Sequence, residues 1–214
     1  MGTIISVTNV EKRFKDRALL NDLNLRVERG GSYALTGPNG AGKSVLLKML
    51  CRFLAPTSGS VVIDPHYLSK NRTFPEKFGV SINGPAYLGQ LSAPENLRRL
   101  ARIRNQIGDA EIRAALERVG LDANDRQRVA SYSTGMKQKF ALAQAIMENP
   151  EVLVLDEPFN GLDASSVERI HEVLADFVGD GGTLVFTSHL TGDVDRLAHV
   201  RWTLDNYTIV VSSL

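Results

Sequence analysis

Apolar residues along the chain follow two different spacings, which predict strands and helices in alternation. Short apolar or alternating runs predict strands at 3–10, 22–27, 32–36, 60–63, 78–82, 151–156, 183–187, 200–204 and 207–211. Apolar residues three or four positions apart predict helices at 45–50, 94–103, 109–119, 136–147, 163–178 and 191–198. The run Val152–Leu155 is apolar throughout, which is typical of a parallel strand buried on both faces. The pattern therefore predicts an α/β fold.

Helical spacing dominates one long stretch in the middle of the chain, from residue 86 to about 148. Strand patterns stand on both sides of it, and no repeat, linker or low-complexity segment interrupts the sequence. We therefore expect residues 1–214 to form a single domain with a helical subdomain inserted at about 86–148.

A glycine-rich loop joins the predicted strand 32–36 to the helix that follows it. Its residues are Gly37, Pro38, Asn39, Gly40, Ala41, Gly42, Lys43 and Ser44. Glycines let several backbone N–H groups converge on one anion, and the helix adds the positive end of its dipole. Lys43 can reach the β- and γ-phosphates, and the Ser44 hydroxyl can bind Mg²⁺. The loop predicts a nucleoside triphosphate site, but by itself it does not separate a kinase, a GTPase and a motor ATPase.

Two further predicted strands end in residues that suit phosphate chemistry. Asp156 and Glu157 follow the strand 151–156, and His189 follows the strand 183–187. Ligands of open parallel sheets bind beyond the carboxyl ends of the strands, so these side chains are expected near the loop. Asp156 is a candidate Mg²⁺ ligand and Glu157 a candidate base for the attacking water, with a helix cap or a solvated turn as the alternative for this acidic pair.

The composition limits which kinds of binding partner and which cellular location are expected. The chain has 25 basic and 24 acidic residues and a net charge of +1, which gives no overall case for nucleic acid or an anionic membrane as a partner. No secretory signal and no apolar stretch of membrane-spanning length is visible, so we expect a cytoplasmic protein. The single cysteine, Cys51, is expected to be a packed thiol, and the histidines show no metal-ligand spacing.

The order of these motifs resembles the nucleotide-binding domain of ABC (ATP-binding cassette) transporters. Tyr132–Met136 stands where that family carries its Leu-Ser-Gly-Gly-Gln signature, although threonine and methionine replace its first glycine and its glutamine. Leu155–Pro158 follows, then Asn160–Asp163 as the D-loop and Thr187–His189 as the switch histidine. The match extends over essentially the whole chain.

The resemblance implies a RecA-like P-loop core, an N-terminal antiparallel β-subdomain and an inserted α-helical subdomain. It also implies a head-to-tail dimer with two ATP molecules and Mg²⁺ at its interface, where Ser133 and Gly135 of one subunit meet the γ-phosphate held by the other. By the same resemblance Phe14 stacks on adenine, Asp163 belongs to the D-loop, and Val45 replaces the usual threonine beside the α-phosphate.

The least regular position of the resemblance is the Q-loop. Asn83 stands where a glutamine is expected, twelve positions before Glu95, and would approach Mg²⁺ or the lytic water. The alternative is Gln90, which has the expected side chain but lies seven residues later. Asparagine offers the same amide donor and acceptor with one methylene less, so it would act through a bridging water.

The implied function is an ATP-hydrolysing subunit that energises transport through a separate permease. The segment Ile82–Tyr87 and the short C-terminus resemble subfamilies that export drugs, antimicrobial peptides or lantibiotics, with an importer as the alternative. The rival class is a soluble ABC ATPase that acts on ribosomes or DNA, which normally carries tandem cassettes or long coiled coils. A small-molecule kinase or GTPase is disfavoured because the chain has no Asn-Lys-x-Asp guanine-reading motif.

Overall fold

A small antiparallel sheet begins the fold. The structure is a computed structural model that describes residues 2–15 and 17–214. The small sheet has the order β2-β1-β4 and consists of β1 (Thr3–Phe14), β2 (Arg17–Glu28) and β4 (Ser58–Ile63). β1 and β2 run well past the predicted limits at Val10 and Asp22, because bulges interrupt their alternation. At Asn9 and Asp22, φ is 48° and 47°, and this local change of direction hides the strands from a simple period of two.

The larger sheet holds the strands that end at the candidate site. Its order is β5-β6-β7-β3-β8-β9, and only the last pair is antiparallel. The strands are β3 (Ser32–Thr36), β5 (Phe78–Ser81), β6 (Val152–Leu155), β7 (Thr183–Thr187), β8 (Val200–Asp205) and β9 (Thr208–Ser213). All residues of β6 and β7 are buried, as the apolar runs predicted. Since β3, β7 and β6 are parallel neighbours, their carboxyl ends share one edge.

Helices follow or flank these strands, and some begin with a side-chain cap. They are α1 (Lys43–Leu50), α2 (Ala93–Arg104), α3 (Asp109–Arg118), α4 (Thr134–Ile146), α5 (Ala164–Gly179) and α6 (Thr191–Leu197), with a 3-10 turn at Val129–Ser131. Ser92 and Glu95 form a capping box at the start of α2, where the Ser92 N–H donates to Glu95 Oε2 over 2.8 Å. Such caps satisfy backbone N–H groups that have no partner inside the helix.

Two apolar clusters hold the elements together. One lies between the small sheet, α1 and one face of the larger sheet, and its largest fully buried side chain is Trp202. The other joins α2, α3, α4 and α5 to the opposite face of the larger sheet around Phe140 and Phe186. This layered α/β arrangement, with an antiparallel sheet at the start, confirms the predicted fold class. Among the described helices, none combines the length and apolarity that crossing a bilayer requires.

Candidate functional site

The glycine-rich loop between β3 and α1 needs its glycines for two different reasons. Gly37, Gly40 and Gly42 have φ of 141°, 76° and 111°, values that side chains rarely allow. A Cβ on Gly37 would also lie 2.4 Å from the Leu204 carbonyl oxygen of β8. The loop therefore packs against the neighbouring strand and bends at the same time. This close packing places the N-terminus of α1 beside the edge where the strands end.

Lys43 closes the loop in this structure. Its Nζ donates to the carbonyl oxygens of Gly37 and Pro38 at 2.8 and 3.2 Å, and the side chain is buried. Burial lowers the pKa of this amine, while the charges of Glu157 and Asp156 act to raise it. Lys43 is thus held above the loop by its own backbone carbonyls. A bound phosphate would replace those carbonyls as the hydrogen-bond acceptor of the Lys43 ammonium group, which already lies above the loop.

A cleft of about 460 Å³ lies at the junction of the loop with the ends of β6 and β7. The loop and the first turn of α1 form one wall, which includes Ser44 and Val45. The remaining lining residues are Leu19, Asp156, Glu157, Asn160 and His189. The structure therefore brings together three motifs, although 145 positions separate Ser44 of the first from His189 of the last.

One threonine hydroxyl links the two acidic residues at the end of β6. The Glu157 N–H donates to Thr187 Oγ1 at 2.7 Å, and this hydroxyl donates to Asp156 Oδ1 at 2.8 Å. Glu157 itself has a φ of 49°, a value that turns the chain sharply after the strand. Thr187 is fully buried, so it fixes both the carboxylate of Asp156 and the backbone that carries Glu157.

The carboxyl group of Glu157 lies close to the switch histidine. His189 Nε2 lies 2.8 Å from Glu157 Oε1, which is within ion-pair distance, and no hydrogen bond joins the two atoms. Within residues 2–15 and 17–214, Oε1 is a buried oxygen that receives no hydrogen bond. Burial raises the pKa of Glu157, although His189 and Lys43 act to lower it. Since Glu157 lines the cleft, its carboxyl group can meet a water molecule beside a bound phosphate.

The residues of the signature lie outside this cleft. Ser133 is the exposed N-cap of α4, where its Oγ accepts from the Met136 N–H at 3.2 Å. Gly135 packs against the D-loop of its own chain, since a Cβ there would lie 2.8 Å from the Gly161 carbonyl oxygen. One turn further along α4, Gln138 Nε2 donates to the Glu157 carbonyl oxygen at 3.1 Å. The signature helix is therefore anchored to the segment that follows β6.

Two other predicted site residues have local roles. Phe14 lies at the end of β1 with 49% of its surface exposed, and Lys12 Nζ stands 5.1 Å from its ring centre. It does not line the cleft. Asp163 caps α5 by accepting from the Ser166 N–H at 2.8 Å. A hydrogen bond from the Ser165 hydroxyl, together with the one from Ser166, lowers the pKa of Asp163 to about 2, because both stabilise its charged form.

The two Q-loop candidates are separated by the fold. Asn83 lies two residues after the end of β5, is exposed, and has a φ of 62°. Gln90 lies in a turn whose neighbours are bonded to the 3-10 turn Val129–Ser131, since the carbonyls of Gly89 and Leu91 accept from the backbone N–H groups of Ala130 and Val129. Neither residue lines the cleft. Asn83 is the candidate at a strand end, beside β6.

Two residues of the site have no motif that predicts their contacts. Thr187 belongs to the segment Thr187–His189, and its hydroxyl also bonds to both residues of the acidic pair. Gln138 bonds to the backbone of the same pair from α4. Thr187 ends a buried strand next to His189, which is a weak signal for a site residue. No local pattern announces a glutamine that bonds to a carbonyl nineteen residues away.

The cleft suits a nucleotide phosphate with a divalent cation. Gly40 and Gly42 line the cleft with positive φ, so the loop backbone curves around it, and Lys43 supplies positive charge. The Ser44 hydroxyl and the Asp156 carboxylate line the same cleft, and oxygen donors of this kind suit Mg²⁺. Residues 20–160 match the family model described as "ABC transporter".

Curated relatives match over nearly the whole chain. The bacitracin transport ATP-binding protein BcrA of Enterococcus faecalis is 36% identical over 202 residues, which are 94% of this chain and 66% of that protein. The lantibiotic transport ATP-binding protein SrtF of Streptococcus pyogenes is 33% identical over 91% of this chain and 84% of its own length.

Solved structures agree in fold. One described as the structure of an ATP binding subunit of an ABC transporter has a TM-score of 0.87 and 26% identity, and covers 99% of this chain and 90% of its own. The dimeric cassette MJ0796 has a TM-score of 0.87 at 24% identity over 99% of both chains, a similarity that concerns the fold alone.

Proposed function

The chain belongs to the ABC transporter family, and from this membership we propose that it is an ATP-hydrolysing subunit that powers export through a separate permease. The observation that carries the proposal is the shared cleft of the phosphate loop, the acidic pair after β6 and His189. A phosphate held by the loop would lie between a cation, two carboxylates and an imidazole. That set of groups serves hydrolysis of a terminal phosphate.

ATP would be held mainly by the loop. The backbone N–H groups of residues 37–44 and the dipole of α1 favour the phosphates, and Lys43 adds a full positive charge. Ser44 and Asp156 would hold Mg²⁺, which neutralises charge on the β- and γ-phosphates. Val45 lines the cleft but offers no hydroxyl, so we expect it to contribute packing only. Phe14, being exposed, is free to stack on adenine.

Glu157 is proposed as the general base. Glu157 lines the cleft beside the phosphate loop, so its carboxylate can take a proton from a water that lies next to a bound phosphate. Burial raises its pKa, and a stronger base takes a proton more readily once it is ionised. His189 Nε2 lies 2.8 Å from Glu157 Oε1, so its ring would position the carboxylate of Glu157 relative to the γ-phosphate.

Ser133 and Gly135 are proposed to act on the nucleotide of a second subunit. Both lie outside the cleft of their own chain, and Ser133 is exposed at the N-terminus of α4. Since Ser133 Oγ accepts from Met136, its O–H remains able to donate to a γ-phosphate. A head-to-tail dimer would present this hydroxyl and the helix dipole in the place where other enzymes use an arginine. Asp163, as a cap, would fix the D-loop at the same interface.

Asn83 is proposed to connect the nucleotide to the permease. It follows β5 next to β6, and its exposed amide can reach Mg²⁺ or the lytic water through a bridging water. The backbone bonds that tie Gln90's neighbours to residues 129 and 130 argue against Gln90 in this role.

A groove of about 350 Å³ offers a surface for the permease. Its lining includes Phe53 and Phe74, which are 50% and 53% exposed, and Ile103 of α2, which is 77% exposed. Apolar residues clustered in this way are typical of protein interfaces. Ile103→Asp should reduce copurification of the permease, whereas Leu214→Asp, an exposed apolar residue outside the groove, should not. Equal copurification of both variants would remove the groove from the proposal.

The cargo is proposed to be an antimicrobial peptide or a related drug. The names of the relatives, which concern bacitracin and lantibiotic transport, support this class. They also favour transport over a soluble ATPase that acts on ribosomes or DNA. Deletion of the gene should lower tolerance to bacitracin or a lantibiotic, and only an ATPase-active copy should restore it. Unchanged tolerance to every peptide tested would reject the cargo and leave the ATPase proposal intact.

Glu157→Gln tests the proposed chemistry. The amide keeps the size of the side chain but is not a base, so ATP should still bind, turnover should fall by about 10² or more, and the closed dimer should accumulate. Glu172→Gln, an exposed position on α5, is the matched control. Turnover and sedimentation with MgATP are the measurements. Near-normal hydrolysis by Glu157→Gln would reject Glu157 as the base.

A further inference from the structure

Three buried polar side chains lie behind the cleft and have no part in the proposed chemistry. His171 of α5, Asp193 of α6 and Ser188 after β7 are 3%, 5% and 3% exposed. Polar groups at this depth are costly unless they bond to each other. They do so here, and the way in which they are connected suggests a function.

The three groups form a chain that ends on both sides of His189. His171 Nε2 lies 2.9 Å from Asp193 Oδ1, and Ser188 Oγ donates to Asp193 Oδ2 at 2.7 Å. Ser188 Oγ in turn accepts from the Leu190 N–H at 3.0 Å. The residues before and after His189 are therefore both tied to one buried carboxylate.

His171 also touches the segment that carries the proposed base. Its ring stacks on Phe159 with the ring centres 4.4 Å apart and the planes 16° from parallel. Phe159 is buried and comes two residues after Glu157. The same imidazole thus contacts the loop after β6 through its face and the loop after β7 through Asp193.

Two simpler explanations fit less well. A nucleophilic serine would need Ser188 bonded to the imidazole, but Asp193 lies between them and Ser188 is buried. An apolar filler would serve packing equally well, and it would not need a carboxylate with two bonded partners. Within the described residues, His171 Nδ1 has no hydrogen-bond partner, so Nε2 is the nitrogen that links this ring to the network.

We propose that His171 is a positioning residue that sets the distance between Glu157 and His189. It acts through Asp193 and Ser188 on one side and through Phe159 on the other. This inference rests on the proposed ATPase function. Glu157 and His189 approach to 2.8 Å, and a misplacement of about 1 Å in such a site can cost about 10² in rate. The nucleotide contacts of the loop, by contrast, do not pass through His171.

Two substitutions test separately the contact of His171 with Asp193 and its stack on Phe159. His171→Gln keeps an N–H donor near Asp193 but loses the stack on Phe159, whereas His171→Phe keeps the stack and loses the donor. We expect kcat to fall about tenfold in His171→Phe and no more than about threefold in His171→Gln, with KM for ATP within about twofold of wild type in both. His171→Phe/Asp193→Asn also removes the buried charge, so it supplies a folded variant if His171→Phe alone does not fold.

Leu174→Ala is the matched control, because Leu174 is fully buried one turn further along α5. It should lower the melting temperature at least as much as His171→Phe while leaving kcat unchanged at temperatures where it is folded. If kcat of the His171 variants followed their folded fraction as it does in this control, the network would be structural only.

A double-mutant cycle with His189→Ala completes the test. If His171 acts through His189 and Glu157, His171→Phe should change the residual turnover of His189→Ala by less than about twofold. An unreduced tenfold effect in that background would overturn the inference. Failure of the proposed function has a different signature, namely a wild-type chain without ATPase activity or an active Glu157→Gln variant.

Discussion

Thr187→Val is the substitution whose effect follows most directly from the structure. Valine has nearly the same shape as threonine, so it fills the same space at the end of β7 and removes only the hydroxyl. That hydroxyl accepts from the Glu157 N–H at 2.7 Å and donates to Asp156 Oδ1 at 2.8 Å. The variant therefore breaks two hydrogen bonds at once and leaves a backbone N–H without its acceptor.

The expected loss of stability can be built from these two bonds. An ordinary hydrogen bond contributes about 1 kcal/mol and one to a charged group about 1.5–3 kcal/mol. The added methyl group returns less than about 1 kcal/mol through burial. The free energy of unfolding should thus fall by about 1.5–4 kcal/mol, which lowers the melting temperature of a domain of this size by about 3–16 °C.

Function should suffer separately from stability. Without Thr187 the carboxylate of Asp156 loses a donor that orients it, so the Mg²⁺ concentration for half-maximal ATPase activity should rise. Thr183→Val is the matched control: Thr183 is also fully buried on β7, but its Oγ1 accepts only from the Gly30 N–H at 2.9 Å, far from the cleft.

Urea unfolding and Mg²⁺-dependent turnover are measured for both variants and for Thr187→Ser, which keeps the hydroxyl and should restore both properties. The reasoning is refuted if the two valine variants show the same stability and the same dependence on Mg²⁺.

The remaining predictions concern the proposed base, the dimer and the Q-loop. Burial raises the pKa of Glu157 above its ordinary 4.5, so the loss of turnover on acidification should begin above pH 4.5. The same shift means that protonated Glu157 stabilises the fold below pH 4.5 and that this stability is lost as pH rises through the raised pKa. Glu157→Gln should therefore be more stable than the wild type at higher pH. Guanidine or thermal unfolding across pH checks the second statement, and equal stability at pH 8 would contradict it. A mixture of Lys43→Ala and Ser133→Arg subunits should regain turnover through one intact composite site, whereas crosslinking of Ser133 to Lys43 of the same subunit would exclude the trans arrangement. Asn83→Ala should weaken permease-stimulated turnover and Gln90→Ala should not, with the opposite result assigning the Q-loop role to Gln90.

Much of the larger sheet could be predicted because its strands are buried on both faces. A run such as Val152–Leu155 leaves little choice of structure, and the structure places β6 there. The limits of the strands in the small sheet are harder to predict from the sequence, since bulges near Asn9 and between Val10 and Arg13 shift the alternation of apolar and polar residues. The charged residues from Lys12 onward are typical of a loop when the local sequence is considered without its partner strand. They are strand residues because they pair with β2 across an antiparallel ladder.

The sequence predicts those side chains of the site that lie in a recognisable local motif. Lys43, the pair Asp156 and Glu157, and His189 come from three such motifs, and parallel strand order explains why they meet. The groups that hold them in place have no local signature. Thr187 looked like an ordinary strand end, and His171 lies on a helix where one histidine carries no pattern. Their importance depends on contacts between residues twenty or more positions apart.

The bond from Gln138 to the Glu157 carbonyl has a consequence for how two ATP molecules would be consumed. In a head-to-tail dimer, α4 of one subunit faces the nucleotide of the other, yet α4 is bonded to the base-carrying segment of its own chain. Each nucleotide would then influence the geometry at the second one through a rigid helix about 20 Å long. Binding free energy would be shared between the sites, and linkage requires this sharing to be reciprocal. Turnover against ATP concentration should be sigmoidal, and Gln138→Ala should bring the Hill coefficient towards one.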